Sequence, residues 1–286
     1  METQKAYARV FSCEFYPPKT PAGREKLQVT WQRLAALKPR FFSVTFGAGG
    51  STRDRTLETV REIQAESGIE AAPHISCIDS TRRNIRDMLQ AYRAAQIRRL
   101  VALRGDLPSG TVEVGEFRYA NELVAFIREQ TGSHFHIEVA AYPEFHPQSQ
   151  SADADLRHFK RKVEAGADSA ITQYFYNPDA YARFIDSCEK LGIELPIVPG
   201  VMPITNYLQL ARFSAACGAE IPRWLGKRLE QFGDDLGSLK AFGIDVVTQL
   251  CARLLEMGAP GLHFYTLNKA EATLAIWANL GLEQRD

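Results

Sequence analysis

A carboxylate closes the first apolar run of the chain. Glu14 in "RVFSCEFYPP" is followed by Phe15, Tyr16 and two prolines. Burial among aromatic side chains disfavours the charged form of a carboxyl group and raises its pKa, which is what a general acid near neutrality requires. An ordinary strand-end carboxylate is the alternative reading of the same residues. Asp106 closes another run in "LRGD" (103–106), where Gly105 supplies backbone freedom and an Asp can bond nearby amides, as in a simple turn. "AAYPEFHP" (140–147) sets Tyr142 and His146 beside Pro143 and Pro147, whose rings restrict the loop and preorganise both side chains. Gln173 brings donor and acceptor together at the end of "SAITQYF". Gln209 and Phe213 lie one helical turn apart in "YLQLARFS", spacing that also suits a packed helix face.

These residues need elements to hold them. Apolar, β-rich runs recur at 9–15, 41–46, 71–76, 99–104, 136–142, 169–175, 195–200 and 261–266. Between most of them lie stretches of helical periodicity, several opened by Asp, Ser or Asn at the capping position. "NPDAYARFIDSCEKLG" is one such stretch, with Asn177 as cap, Pro178 at the first helical position and Gly192 as the stop. Alternating strand and helix predicts a parallel sheet, and eight repeats predict a (β/α)8 TIM barrel occupying residues 1–286 as a single domain. The longer gap at 204–257 predicts extra helices between strands seven and eight. An open doubly wound sheet is the competing architecture, but no G-x-G-x-x-G follows a predicted strand, and "GAGGST" (47–52) has the wrong spacing.

In such a barrel the reactive groups sit at the carboxyl ends of the strands. Glu14, Thr45, His74, Arg104 to Asp106, Tyr142 to His146, Gln173 and Tyr265 all fall at predicted exits. "HFH" (134–136) could offer two histidines on one strand face to a metal, but it begins a strand and so faces the other end; no metal site is expected. Asp155, His158, Arg161 and Lys162 share one amphipathic helix, with cations expected in its early turns. A basic run such as "KRK" (160–162) is otherwise a solvated face.

Thirty-four basic and 34 acidic side chains, without a charge block, give no electrostatic attraction for nucleic acid or an anionic membrane. The N-terminus has no apolar signal segment, and no apolar run reaches the roughly 20 residues that span a bilayer. Five scattered cysteines without a CxxC pair suit reduced thiols in a cytoplasmic protein, packed as small core residues. Small molecules are the expected partners.

"EFYPPKT" (14–20), "VTFGAGGSTRDRT" (44–56), "PHISC" (73–77), "LRGD", "AAYPEFHP", "ITQYFYN" (171–177), "PGVMPITN" (199–206) and "APGLHFYTLN" (259–268) occur in order along nearly the whole chain. Together they resemble the methylenetetrahydrofolate reductase family, in its short bacterial form without a C-terminal regulatory domain. The resemblance implies a flavoprotein barrel with bound FAD. It also implies ping-pong hydride transfer from NADH or NADPH to methylenetetrahydrofolate, feeding methionine synthesis. Glu14 is then the proton donor that opens the imidazolidine ring, and Asp106 lies beside the flavin and favours the cationic iminium. Thr45, His74, Arg104, Gly105, Asp106, Tyr119, Ala120, Tyr142, His146, Asp155, His158, Arg161 and Lys162 become cofactor contacts. Glu14, Asp106, Gln173, Gln209, Phe213, Tyr265 and Lys269 become folate contacts, with Gln173 reading the pterin edge. A homo-oligomer is expected. The family's usual "FEFFPP" reads "CEFYPP" here, placing Cys13 before the acid and Tyr16 within the motif. A Schiff-base lyase is disfavoured because no Lys ends a predicted inner strand. Another flavin barrel or a non-catalytic folate binder are the remaining rivals.

Overall fold

The computed structural model describes residues 1–46, 53–78, 80–105 and 115–282. The chain runs α1 (Glu2–Lys5), β1 (Val10–Phe15), α2 (Pro21–Ala35), β2 (Phe41–Val44), α3 (Arg53–Ser67), β3 (Glu70–Ser76), α4 (Arg82–Ala94), β4 (Arg99–Leu103), α5 (Ala120–Thr131) and β5 (His136–Ala141). It continues as α6 (Ala152–Glu164), β6 (Ser169–Thr172), α7 (Pro178–Lys190), β7 (Ile197–Val198), β8 (Gly200–Val201), α8 (Tyr207–Cys217), α9 (Arg223–Gln231), α10 (Leu236–Met257), β9 (Gly261–Tyr265) and α11 (Glu271–Asn279). The alternation expected from the sequence is present, including three helices ahead of the last strand.

Local chemistry explains the boundaries. Thr20 caps α2 by accepting the Gly23 N–H at 3.1 Å, with Pro21 at the first helical position. Asn177 caps α7 by accepting the Asp179 N–H at 3.0 Å, again with Pro at the start. α1 carries no periodic signal in the sequence. Gln4 holds it in place by donating to the Leu195 carbonyl and accepting the Ile197 N–H at 2.8 Å.

The hydrogen-bonded order is β7-β6-β5-β4-β3-β2-β1-β9-β8. β7 and β8 are two pieces of one strand, "IVPGV", broken at Pro199, which has no N–H to give a ladder. One piece pairs with β6 and the other with β9, so the order returns on itself: the fold is the (β/α)8 barrel class. The expected single seventh strand is thereby corrected to an interrupted one. Parallel strands buried on both faces read as near-continuous apolar runs, and every residue of β2 and all but the first of β3 are buried.

Two compact units arise within the chain, one formed by Met1–Phe11, Ala141–Arg157 and Ile171–Asp286, the other by Ser12–Ala140 and His158–Ala170. In the second, Phe15, Phe41, Phe42, Trp31 and Leu34 form part of the core, with Phe15 and Phe42 ring centroids 5.2 Å apart. In the first, Phe175 stacks on Tyr181 at 5.8 Å, and Trp277 takes Phe11 edge-on at 5.1 Å.

A buried polar network occupies the starts of β4 and β5. Arg99 donates to Glu138 at 2.5 Å and to Glu70 at 3.3 Å, and its guanidinium lies 4.5 Å from the Phe41 ring centre. Glu138 also accepts from Ser169, whose hydroxyl meets His136 Nε2 at 2.6 Å. Burial by itself would raise the Glu138 pKa, but His136, Arg99 and Ser169 outweigh it and hold the carboxyl below its ordinary value. Removing one partner of such a pair leaves a buried charge uncompensated, so Arg99→Ala is expected to cost about 3–5 kcal/mol, read as a lower urea midpoint. With a depressed folded pKa, the Glu138 contribution is present above the ordinary glutamate range and is lost as pH falls through the folded value. Glu138→Gln should flatten that acid limb.

Candidate active site

In the second unit the exits of β1, β2 and β3 build one polar corner. Glu14 pairs with Ser43 and Ser43 with Ala72, so their side chains share a face, and His74 stands two residues further along that face of β3. Glu14 Oε2 lies 3.2 Å from His74 Nε2, with side-chain exposures of 19% and 7%. Nε2 is nevertheless buried without a hydrogen-bonding partner among the described residues, as is Ser43 Oγ. The Thr45 N–H donates to the Phe15 carbonyl at 2.8 Å, carrying the β1–β2 pairing to the rim.

The β4 exit is built by backbone contacts. Ser76 Oγ and the Ile78 N–H both donate to the Arg104 carbonyl at 2.8 Å. Gly105 follows with φ +87°, and a Cβ there would lie 1.9 Å from Ser76 Oγ. Only glycine suits both the conformation and the space. Arg104 is half-buried, and Asp106 lies outside the described residues.

Tyr119 is half exposed ahead of α5, which Ala120 opens, and its ring centre lies 6.1 Å from that of exposed His158. The Glu122 carboxylate reaches back to accept the Arg118 N–H at 2.7 Å and the Tyr119 N–H at 3.3 Å, holding that corner. In α6 Asp153 and Asp155 fill the first turn and Arg161 and Lys162 lie in the last, with Arg157, His158 and Lys160 between them, so the first turn is acidic where cations were expected early. This is the arrangement a helix dipole favours. Lys162 Nζ donates to the Ala140 carbonyl at 2.5 Å, and Arg161 is exposed.

The first unit holds the other expected residues. Tyr142 and His146 pack edge to face with ring centres 4.7 Å apart. The Phe145 N–H bonds the Tyr142 carbonyl at 3.2 Å, and the Ser149 N–H bonds the His146 carbonyl at 2.8 Å, two successive turns through "YPEFHPQS". Asp155 is tied to this loop, accepting the His146 N–H at 3.0 Å. Gln173 continues the ladder beyond β6 by donating its N–H to the Ala141 carbonyl at 2.8 Å, while its side-chain oxygen accepts the Tyr174 N–H at 3.0 Å. The Tyr265 hydroxyl donates to the Thr172 carbonyl at 2.8 Å. Gln209 and Phe213 line an open recess with Asn206 and Arg212 on α8, and Phe213 is 40% exposed, so it is not a core residue. Lys269 is exposed.

Several participants carry no individual signal in the sequence. Ser43 reaches the Glu14 face only through strand register. Glu144, Tyr174 and Cys217 join Tyr142 and Gln173 around a small recess with room for little more than one water molecule. The "HFH" imidazoles are already engaged, His134 with Arg98 and the Ile97 carbonyl, His136 with Ser169. Among the described residues no group of three or more His, Cys, Asp or Glu side chains could hold a metal ion, and no helix is long and apolar enough to cross a membrane.

The sequence pattern of methylenetetrahydrofolate reductases matches residues 2–281. The chain belongs to the methylenetetrahydrofolate reductase family. The 5,10-methylenetetrahydrofolate reductases of Salmonella typhimurium and Escherichia coli are each 42% identical to it over 271 residues, covering 95% of this chain and 90% of their own. Methylenetetrahydrofolate reductase (NADH) 1 of Arabidopsis thaliana is 41% identical over 285 residues, covering 95% of this chain and 48% of its own. A Clostridium thermocellum protein that binds two copies of 5-methyl-5,6,7,8-tetrahydrofolic acid has the same fold, with TM-score 0.65 at 17% identity over 98% of this chain and 95% of that one.

Within this methylenetetrahydrofolate reductase family member the two departures in "CEFYPP" have separate consequences. Cys13 is fully buried, and burial pushes its thiol well above the ordinary range, so it is an inert core residue. Tyr16 is 49% exposed at the rim. All five cysteines are free, and only Cys217 is not buried. Gly105→Ala tests the β4 exit: a strained φ together with a clash should destabilise by about 1–3 kcal/mol, lowering the thermal midpoint by several degrees.

Proposed function

We propose that the protein reduces 5,10-methylenetetrahydrofolate to 5-methyltetrahydrofolate, with NADH or NADPH as hydride donor and FAD as bound cofactor, feeding methionine synthesis. One observation carries the reading: in a chain of this family, the Glu14 carboxylate lies 3.2 Å from the buried His74 imidazole at the outgoing end of β1. A carboxyl in that place is partly withdrawn from water yet reachable by a ligand. It can hold a proton and deliver it to one nitrogen of the imidazolidine ring. The C–N bond to the methylene carbon then breaks with its electrons on that nitrogen. The iminium left behind gains a hydride and becomes the N-methyl group. The reaction takes up one hydride from the nicotinamide and one proton through Glu14.

The residues suit a flavin dinucleotide. Ser43 Oγ and His74 Nε2, on the Glu14 face, are buried polar atoms without a hydrogen-bonding partner among the described residues. When bound, FAD accepts hydride from the nicotinamide and yields it to the folate, chemistry that no side chain supplies. Thr45, His74, Arg104 and Gly105 would be cofactor contacts, Tyr142 and His146 would be too, and Asp106 would favour the cationic iminium electrostatically. Asp155 and Lys162 would be adenosine-side or phosphate-side contacts, and Tyr119, Ala120, His158 and Arg161 further cofactor contacts. Gln173 would read the pterin edge through its amide, Phe213 would stack on the substrate, and Gln209, Tyr265 and Lys269 would complete its contacts.

The reading further takes residues 1–286 as one catalytic domain, working in the cytoplasm as a homo-oligomer on small molecules, without nucleic acid or membrane partners. Purified protein should be yellow and release flavin on denaturation. Glu14→Gln should keep the flavin and its bleaching by NADH or NADPH but lose about 10²–10⁴-fold in folate reduction. Equal loss of both half-reactions would refute the acid role. Parallel double-reciprocal lines are expected if donor and folate take turns in one place.

A further inference from the structure

Resting on the reductase reading above, we propose that Glu144 is a positioning residue for the folate. Its carboxylate latches the chain just beyond α8 onto the loop leaving β5, and so sets the place of Gln209 and Phe213 on that helix.

Glu144 Oε2 accepts the Glu220 N–H at 2.8 Å, joining residues 76 positions apart. Glu220 lies two residues past Gly218, the left-handed cap that ends α8 with φ +76°. Gly218 itself faces the same loop, since a Cβ on it would come within 3.1 Å of Pro147 Cδ. The β5 loop therefore grips the helix end at two points. The residues beyond β6 grip it from another side: the Tyr174 hydroxyl lies 3.1 Å from Ser214 Oγ, and the Cys217 thiol donates to that hydroxyl at 3.5 Å. Backbone N–H groups past a helix end usually meet carbonyls or water. A carboxylate aimed at one from a distant loop is a stronger and more directional hold. It joins the loop carrying Tyr142 and His146 to the helix carrying Gln209 and Phe213, while Tyr174 ties that helix to Gln173.

The groups facing Glu144 are the Glu220 carboxylate, Arg183 of α7 and the Tyr174 phenol. Burial first, then repulsion from Glu220, raise the Glu144 pKa above its ordinary value against the opposing pull of the Glu220 N–H and Arg183. A protonated carboxyl is the weaker acceptor, so the latch loosens on the acid side. Fold stability moves the other way: a carboxyl whose folded pKa is raised disfavours folding in its ionised form, and proton uptake there stabilises the fold. Grip and stability thus diverge as pH falls, which separates positioning from plain structural support.

The test uses the full flavin-loaded protein. Glu144→Ala should raise KM for methylenetetrahydrofolate about threefold to tenfold with flavin content retained and kcat little changed. Glu144→Gln, still an acceptor but neutral, should raise KM less. It should also abolish the acid-side rise in KM and leave the thermal midpoint no lower than in the unaltered protein. Hydrogen exchange of the peptide containing Glu220 should quicken in Glu144→Ala. An unchanged KM in both variants, or equal exchange at Glu220, overturns the proposal. If the unaltered protein fails to turn over methylenetetrahydrofolate, the reductase reading and the folate role fall together, and the Glu220 exchange alone decides whether the latch holds α8.

Discussion

Parallel register between neighbouring strands is the constraint from which the candidate chemistry follows. Each ladder bond fixes which residues stand abreast, and the alternation of side chains fixes the face they share. Glu14 abreast of Ser43, and Ser43 abreast of Ala72, leave His74 one step further along the same face. A slip of one residue in β1 would turn Glu14 to the side where Phe15 meets Phe42 and bring an aromatic ring against His74. The apolar packing on that opposite side therefore holds the acid in place.

Strand order matters for a related reason. The interruption at Pro199 divides the seventh strand so that one part bonds β6 and the other β9. A proline that cannot donate a ladder bond is tolerated where the strand changes partner. At the far ends of β4 and β5, Arg99, Glu138 and Ser169 form a satisfied buried network. Such a network at the incoming end of parallel strands serves stability and leaves the outgoing ends to loops.

The loops are ordered by few, specific bonds. In the first unit, Asp155 holds the His146 backbone and Glu144 holds that of Glu220, so two carboxylates spend their oxygens on N–H groups of the chain itself. In the second, Glu122 does the same for Arg118 and Tyr119. Positions that resemble ligand contacts can thus be fixed before any ligand arrives, which lowers the ordering cost of binding.

The sequence by itself determined the alternation of strands and helices, the cap at Asn177, the helices between the last two strands, and which polar residues close the strands, because these depend on local periodicity and turn chemistry. The family, too, was legible in short strings at the strand exits. Only the tertiary structure decided the split at Pro199, the place of α1, the 3.2 Å approach of Glu14 to His74 and the bond from Glu144 to Glu220. The bond from Glu144 to Glu220 spans 76 positions and that from Gln4 to Ile197 spans 193, and no local pattern encodes them; they exist because strand register and helix packing bring distant backbone together.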